Sequence, residues 1–125
     1  MKKILYLLLL SLSVAIILNA NVFEDTLINC DENNAEACLN AGKIYSAQAY
    51  KEKDYNREKA DSKVASFYKK SCDLGYAEGC TAYAMSYPAH IEKNPNKDAR
   101  YYFKKACDGG DEIACSMLKM MPDEI

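Results

Sequence analysis

Apolar and polar residues alternate along this chain with the period of an α-helix, and the same pattern returns further on. Val64, Phe67, Tyr68 and Ser71 stand at i, i+3, i+4 and i+7, as do Ala99, Tyr102, Phe103 and Ala106. Each set forms one face of a helix. Lys69, Lys70, Lys104 and Lys105 occupy the last turn, where cations favour the helix C-terminus. Gly75 and Gly110 follow, and glycine tolerates the positive φ that stops a helix. A second helix is predicted after each stop. Asn34 and Asp111 are good N-cap residues there, and Tyr76, at the same place in the middle, is not. Leu39 to Tyr45 lies over Thr81 to Tyr87, with Gly42 and Ala84 coinciding. A small residue there lets antiparallel helices approach. Pro88 and Pro95 bracket a loop carrying His90.

The cysteines set the frame. Cys30/Cys38, Cys72/Cys80 and Cys107/Cys115 share one spacing and use every cysteine present. Each pair opens with Cys-Asp, and three residues past the first cysteine stands Asn33, Gly75 or Gly110. The chain therefore reads as all-α, a short α/α solenoid of about three disulfide-stapled helix–turn–helix units, about 22–55, 56–96 and 97–125. The offset from Cys72 to Cys107 is 35 residues and that from Cys30 to Cys72 is 42. With no proline between Leu39 and Cys72, the surplus is expected to lengthen the second helix to about Lys53. The next helix then starts near Asn56, and a loop from Lys51 to Asn56 is the less favoured reading. The ends are imperfect. Asp25 stands where the other units have Phe67 and Tyr102, and the last unit stops at Met117 to Met121, before Pro122. Either the stack is capped there, or the chain is the remnant of a longer array.

Residues 1–20 read as a signal peptide and 21–125 as the repeat domain. Lys2 and Lys3 precede an apolar run from Ile4 to Leu18, and Ala20 offers a cleavage point. An uncleaved anchor is the alternative, but at ~1.5 Å per residue this run covers roughly 22 Å of a ~30 Å hydrocarbon core. No stable membrane insertion is expected after cleavage. Export, to the periplasm or outside the cell, puts the cysteines where an even count reads as disulfides. Zinc is the rival use, but Cys-x-x-Cys spacing is missing and the chain has one histidine. No metal and no cofactor are expected. The net charge of −2 becomes more negative once Lys2 and Lys3 are removed, which argues against nucleic acid. Each staple closes a loop of about nine residues, worth roughly 2.5 kcal/mol in the chain-entropy model, against a total of ~5–15 kcal/mol for a small domain.

The stretch Phe67-Tyr68-Lys69-Lys70-Ser71-Cys72-Asp73-Leu74-Gly75-Tyr76-Ala77-Glu78-Gly79-Cys80 resembles the Sel-1-like repeat, in particular the disulfide-bearing branch called the Helicobacter cysteine-rich proteins. Tyr101 to Cys115 matches less richly, with Gly109 and Asp111 in place of Leu74 and Tyr76. Cys30 to Tyr45 matches in spacing and in Ala35-Glu36-Ala37-Cys38. The resemblance implies an α/α solenoid similar to tetratricopeptide repeats, used as a scaffold for protein–protein contacts. It further implies export, host-cell interaction, or penicillin binding with weak β-lactamase activity. Toxin-immunity or structural duty in the envelope belongs to the same circle.

Two surfaces follow for testing. Ser-x-x-Lys occurs as Ser66 to Lys69 and as Ser116 to Lys119, a spacing that puts hydroxyl and amine on one helix face. Ser66 and Lys69 are thus the candidate catalytic pair, for a β-lactam or a peptidoglycan fragment. The companion Ser-Asp-Asn and Lys-Thr-Gly segments are missing, and no active site is expected. The preferred reading is an exported interaction module. By analogy with Sel-1-like stacks, its concave strip holds Ala65, Ser66, Lys69 and Lys70, then Arg100, Tyr101, Lys104 and Lys105. Such a strip suits an acidic peptide or another carboxylate-bearing partner.

Overall fold

The computed structural model describes residues 1–86 and 95–122, as backbone alone for 15–20 and 95–98. The elements are α1 (Lys2–Asp31), α2 (Ala35–Ala49), α3 (Arg57–Asp73), α4 (Ala77–Ser86), α5 (Pro95–Asp108) and α6 (Glu112–Met120), with no strand among the described residues. Each helix packs on the next in order, and α2 also touches α4. This is the short all-α stack that the repeat pattern predicts. The Pro88–Pro95 loop and His90 lie outside the described residues, apart from Pro95, which opens α5.

One turn is built three times. Asn33, Gly75 and Gly110 take φ of 66°, 94° and 98°. Their N–H groups donate to the carbonyls of Cys30, Cys72 and Cys107 at 2.9–3.0 Å. The next residues, Asn34, Tyr76 and Asp111, donate to Asn29, Ser71 and Ala106 at 3.0–3.2 Å. That pair of bonds satisfies the orphan carbonyls of a helix ended by a left-handed residue. The same three residues then open the following helix, because their carbonyls accept from Cys38, Cys80 and Cys115. Asn34 and Asp111 also cap it with their side chains, accepting from Ala37 and Ile113, each at 3.0 Å. The first cysteine of each pair is thus locked into the last turn of one helix and the second into the first turn of the next. All three disulfides form within one hairpin, with Cα–Cα distances of 4.4–4.7 Å.

The core is made of small groups. Cys30, Cys38, Cys72, Cys80 and Ser71 are the largest fully buried side chains. Phe103 is the one aromatic ring buried among the described residues, packed with Cys72, Cys80, Ala84, Ala106 and Ala114. Units are sewn to one another by specific contacts. The Ser71 hydroxyl donates to the Ala35 carbonyl at 2.7 Å, and the Thr81 hydroxyl to Asp111 at 2.6 Å. A Cβ on Gly42 would stand 2.5 Å from the Tyr68 ring, so that glycine admits the next unit's helix. Tyr45 adds a tilted contact to Phe67 at 6.3 Å and takes the Lys63 ammonium over its ring.

One feature departs from the expected layout. α2 stops at Ala49 instead of Lys53, and residues 50–56 form a connection between α2 and α3. Beyond buried Ala49 an extended helix would carry Lys51, Glu52, Lys53 and Asp54, all exposed. They have nothing to pack against, and packing is the main source of helix stability. The start at Asn56 is as expected, its side chain accepting from the Lys59 N–H at 3.0 Å. A Tyr50–Tyr55 ring contact at 5.0 Å spans the connection. At the start of the chain, α1 runs without a break across residue 20.

Gly79 gives a stringent test of the hairpin. A Cβ there would lie 2.3 Å from the Ser71 hydroxyl oxygen and 2.9 Å from the Cys72 nitrogen. In the last unit the matching residues are Ala106 and Ala114, both fully buried, so two alanines fit where serine demands glycine. Gly79→Ala should destabilise by about 2 kcal/mol, lowering Tm by roughly 10 °C. Adding Ser71→Ala should recover part of that loss, as a double-mutant cycle in thermal melts would measure. Penalties that simply add would contradict it. The staples should also rank by burial: removing Cys72–Cys80, almost wholly buried, should cost more than removing Cys107–Cys115, whose two residues are half-buried.

Candidate functional site

The last turns of α3 and α5 carry equivalent lysines, because both helices end one residue past their first cysteine, at Asp73 and Asp108. Ser66, Lys69, Tyr101, Lys104 and Lys105 are exposed and Lys70 is half-buried. Ala65 does not belong with them. It is buried, since it lies beside Val64 on the edge of the packed face.

The cations are not bare. Lys69 donates to Asp73 at 2.8 Å, and Lys104 donates to Asp108 at 2.8 Å. Those acids are the aspartates of the repeated Cys-Asp, one helical turn on. Lys70 reaches Asp31 of the preceding unit at 4.0 Å. The bond from Asp73 holds the Lys69 amine above the usual lysine range, and Tyr102 and Tyr83 push it further the same way. Asp108 does the same for Lys104. A raised lysine keeps its proton, and with it the ion pair, at every pH up to the ordinary lysine range and loses it only above. Both are ammonium ions at neutral pH.

Beside Lys69 stands an aromatic group that the periodicity alone had not assigned to the surface. Tyr83 meets Tyr102 edge-on at 4.6 Å, and Tyr101 meets Tyr102 edge-on at 5.0 Å. Tyr102, on the apolar face of α5, is half-buried. Tyr83 carried a visible signal, because the same place holds Ala41 in the first unit and Leu118 in the last. Arg100 is directed elsewhere. Its guanidinium donates to the Met121 carbonyl at 3.2 Å and to that of Pro122, holding the end of α6 against α5.

The serine chemistry is not assembled. The Ser66 hydroxyl donates to the Lys63 carbonyl at 2.7 Å and that of Ser116 to the Glu112 carbonyl at 3.0 Å. Both are ordinary bonds to the helix's own backbone. A lysine that activates serine needs a lowered pKa, and that of Lys69 is raised. Among the described residues no group of His, Cys, Asp and Glu is arranged to hold a metal. The turn edge is acidic instead: a groove of about 390 Å³ is lined by Tyr76, Glu78, Asp111 and Glu112 with the turn glycines. Burial, Glu78 and Glu36 together push the Tyr76 hydroxyl up.

Comparison of the chain with protein-family models, with curated proteins and with solved structures finds no match. The three intramolecular disulfides are those of a protein that folds in an oxidising environment outside the cytoplasm. No helix among the described residues is long and apolar enough to cross a membrane.

Because neither serine has a base, the oxidised protein should not turn over a chromogenic β-lactam above the buffer rate. Ser66→Ala and Ser116→Ala should leave the trace unchanged. Turnover that disappears in either variant would show that the serine rearranges to become a nucleophile.

Proposed function

We propose that this chain is an exported interaction module of the Sel-1-like kind, which binds a protein partner through an acidic segment laid over α3 and α5. The observation that carries this reading is the grouping of Lys69 with Tyr83, Tyr102 and Tyr101, with Lys104 and Lys105 one unit further on. An ammonium offers three donors, and Asp73 takes one of those on Lys69. The others suit a second carboxylate. Tyrosines beside it supply contact area at little entropic cost, the combination found at the centre of protein interfaces. Tyr101 is 61% exposed, a large ring left in water that a partner would cover.

Export is part of the same reading. Ile4 to Leu10, Leu12 and Val14 are exposed along α1 with nothing packed on them, which supports their use as a signal peptide removed in the periplasm or on secretion. Binding, not catalysis, is the role that the lysines and tyrosines serve best.

Fluorescent peptides rich in Asp and Glu with one aromatic residue are the direct probe, followed by capture from envelope extracts with the disulfides intact. Lys69→Glu with Lys104→Glu should weaken peptide binding by at least about tenfold, and Tyr101→Ala by about as much. Because these side chains are exposed, melting should change little. Undiminished binding by the charge-reversed protein would remove the proposal.

A further inference from the structure

The outward face of α6 breaks the rule that the other units keep. Counting from the second cysteine of each unit, the positions that receive the next helix are Ala35, Leu39 and Gly42 in the first unit and Ala77, Thr81 and Ala84 in the second. Ala35 accepts from Ser71, Gly42 seats Tyr68, Ala77 meets Gly109 and Thr81 bonds Asp111. In α6 those positions are Glu112, Ser116 and Lys119, all exposed. A face that is apolar or small where a neighbour packs has become polar.

The opposite change occurs beside it. Glu36, Asn40 and Lys43 face solvent on α2. Their equivalents on α4 are Glu78, Ala82 and Met85, and on α6 they are Ile113, Met117 and Met120. Ile113 is 62% exposed and Met120 72%. These three lie at i, i+4 and i+7, a continuous stripe along one side of the helix. The solvent positions of α2 thus turn apolar in steps, two of them on α4 and all three on α6. There Met117 lies half-buried against the core, and Ile113 and Met120 stand exposed on either side of it. Methionine suits a surface that must adapt to a partner.

We propose that α6 packs antiparallel against α6 of a second copy of this chain, through Ile113, Met117 and Met120. The charges select that occupant. Glu112 and Lys119 flank the apolar stripe on the same side, one at each end of the helix. When two identical helices pack antiparallel about a twofold axis, each flank meets its own kind in reverse order. Glu112 of each copy then faces Lys119 of the other, and both carboxylates sit where they favour a helix N-terminus. In a parallel twofold pair each flank would instead meet the opposite flank of the partner, which carries Ala114, Leu118 and Met121 and offers neither charge a complement. A nine-residue helix is only about 14 Å long, well below what a standard interface of ~1,600 Å² needs. The pair is therefore a concentration-dependent dimer and not a permanent one.

Sedimentation velocity of the oxidised protein recovered from the exporting cell, over a range of concentration, tests this. A monomer–dimer equilibrium is expected, and Met120→Lys should abolish the dimer. Glu112→Lys alone, or Lys119→Glu alone, creates two like-charge contacts per dimer and should raise the dissociation constant by about tenfold. Combining the two substitutions restores the alternation and should restore the dimer. Far-UV circular dichroism and melting of each variant separate a lost interface from a lost fold. A protein that stays monomeric throughout, or charge variants that do not rescue each other, would overturn the proposal.

Discussion

Cα atoms of paired cysteines 4.4–4.7 Å apart oblige two helices to meet, at their joined end, far closer than the 8–10 Å at which helices ordinarily pack. Everything near that junction has to be small. The residue before the second cysteine is Ala37, Gly79 or Ala114, and each is buried. The residue before the first cysteine is Ser71 or Ala106, and both are fully buried. Asn29 holds the same place in the first unit and is exposed, since no earlier helix pair packs on it there. A core of cysteine, alanine and glycine has little apolar area to remove from water. The staples make up the difference by limiting the unfolded chain, and the same crowding that they impose makes a larger core impossible.

A stack held from its turns leaves the outer faces of its helices without a structural task. The lysines show how that freedom is used. Lys69 and Lys104 bind Asp73 and Asp108, and each aspartate is fixed beside a cysteine at the helix end. The cation is positioned without being buried, and it keeps donors for something else. Exposed pairs of this kind contribute little to stability, so their recurrence is better explained by orientation than by folding.

The turns could be read from the chain because everything that makes them is local. A left-handed residue, a cap and two cysteines lie within ten positions, and no distant contact alters their meaning. The helix faces were readable for the same reason. What failed were judgements that depend on a neighbour. The end of α2 at Ala49 reflects the lack of anything for Lys51 to Asp54 to pack against, which no local rule reveals. Ala65 sits within one position of the packed face, and only the placement of the adjoining helix decides its burial. Arg100 resembled its neighbours in charge, but its length reaches the carbonyls of Met121 and Pro122, 21 and 22 residues away. Tyr83 and Tyr102 come from different units, so their meeting follows from how the units stack.

In a repeat protein, positions shared by every unit serve the fold, and function is to be sought where one unit departs from the others. Three departures stand out here, and each has a separate physical consequence. Tyr83, in place of Ala41 and Leu118, brings a ring to the junction of α4 and α5 and completes the aromatic group beside Lys69. Arg100 spends its charge on closing the last hairpin, which holds α6 in register against α5 although the described chain offers it no neighbour beyond. Ile113, Met117 and Met120 convert a solvent face to an apolar one in the helix thus held. The last two belong together, because a short helix can present a defined stripe only if its far end is fastened. The Arg100 contacts fasten the far end and the Cys107–Cys115 bond the near one, so α6 is held at both ends while Met117 packs on the core and Ile113 and Met120 stand in solvent.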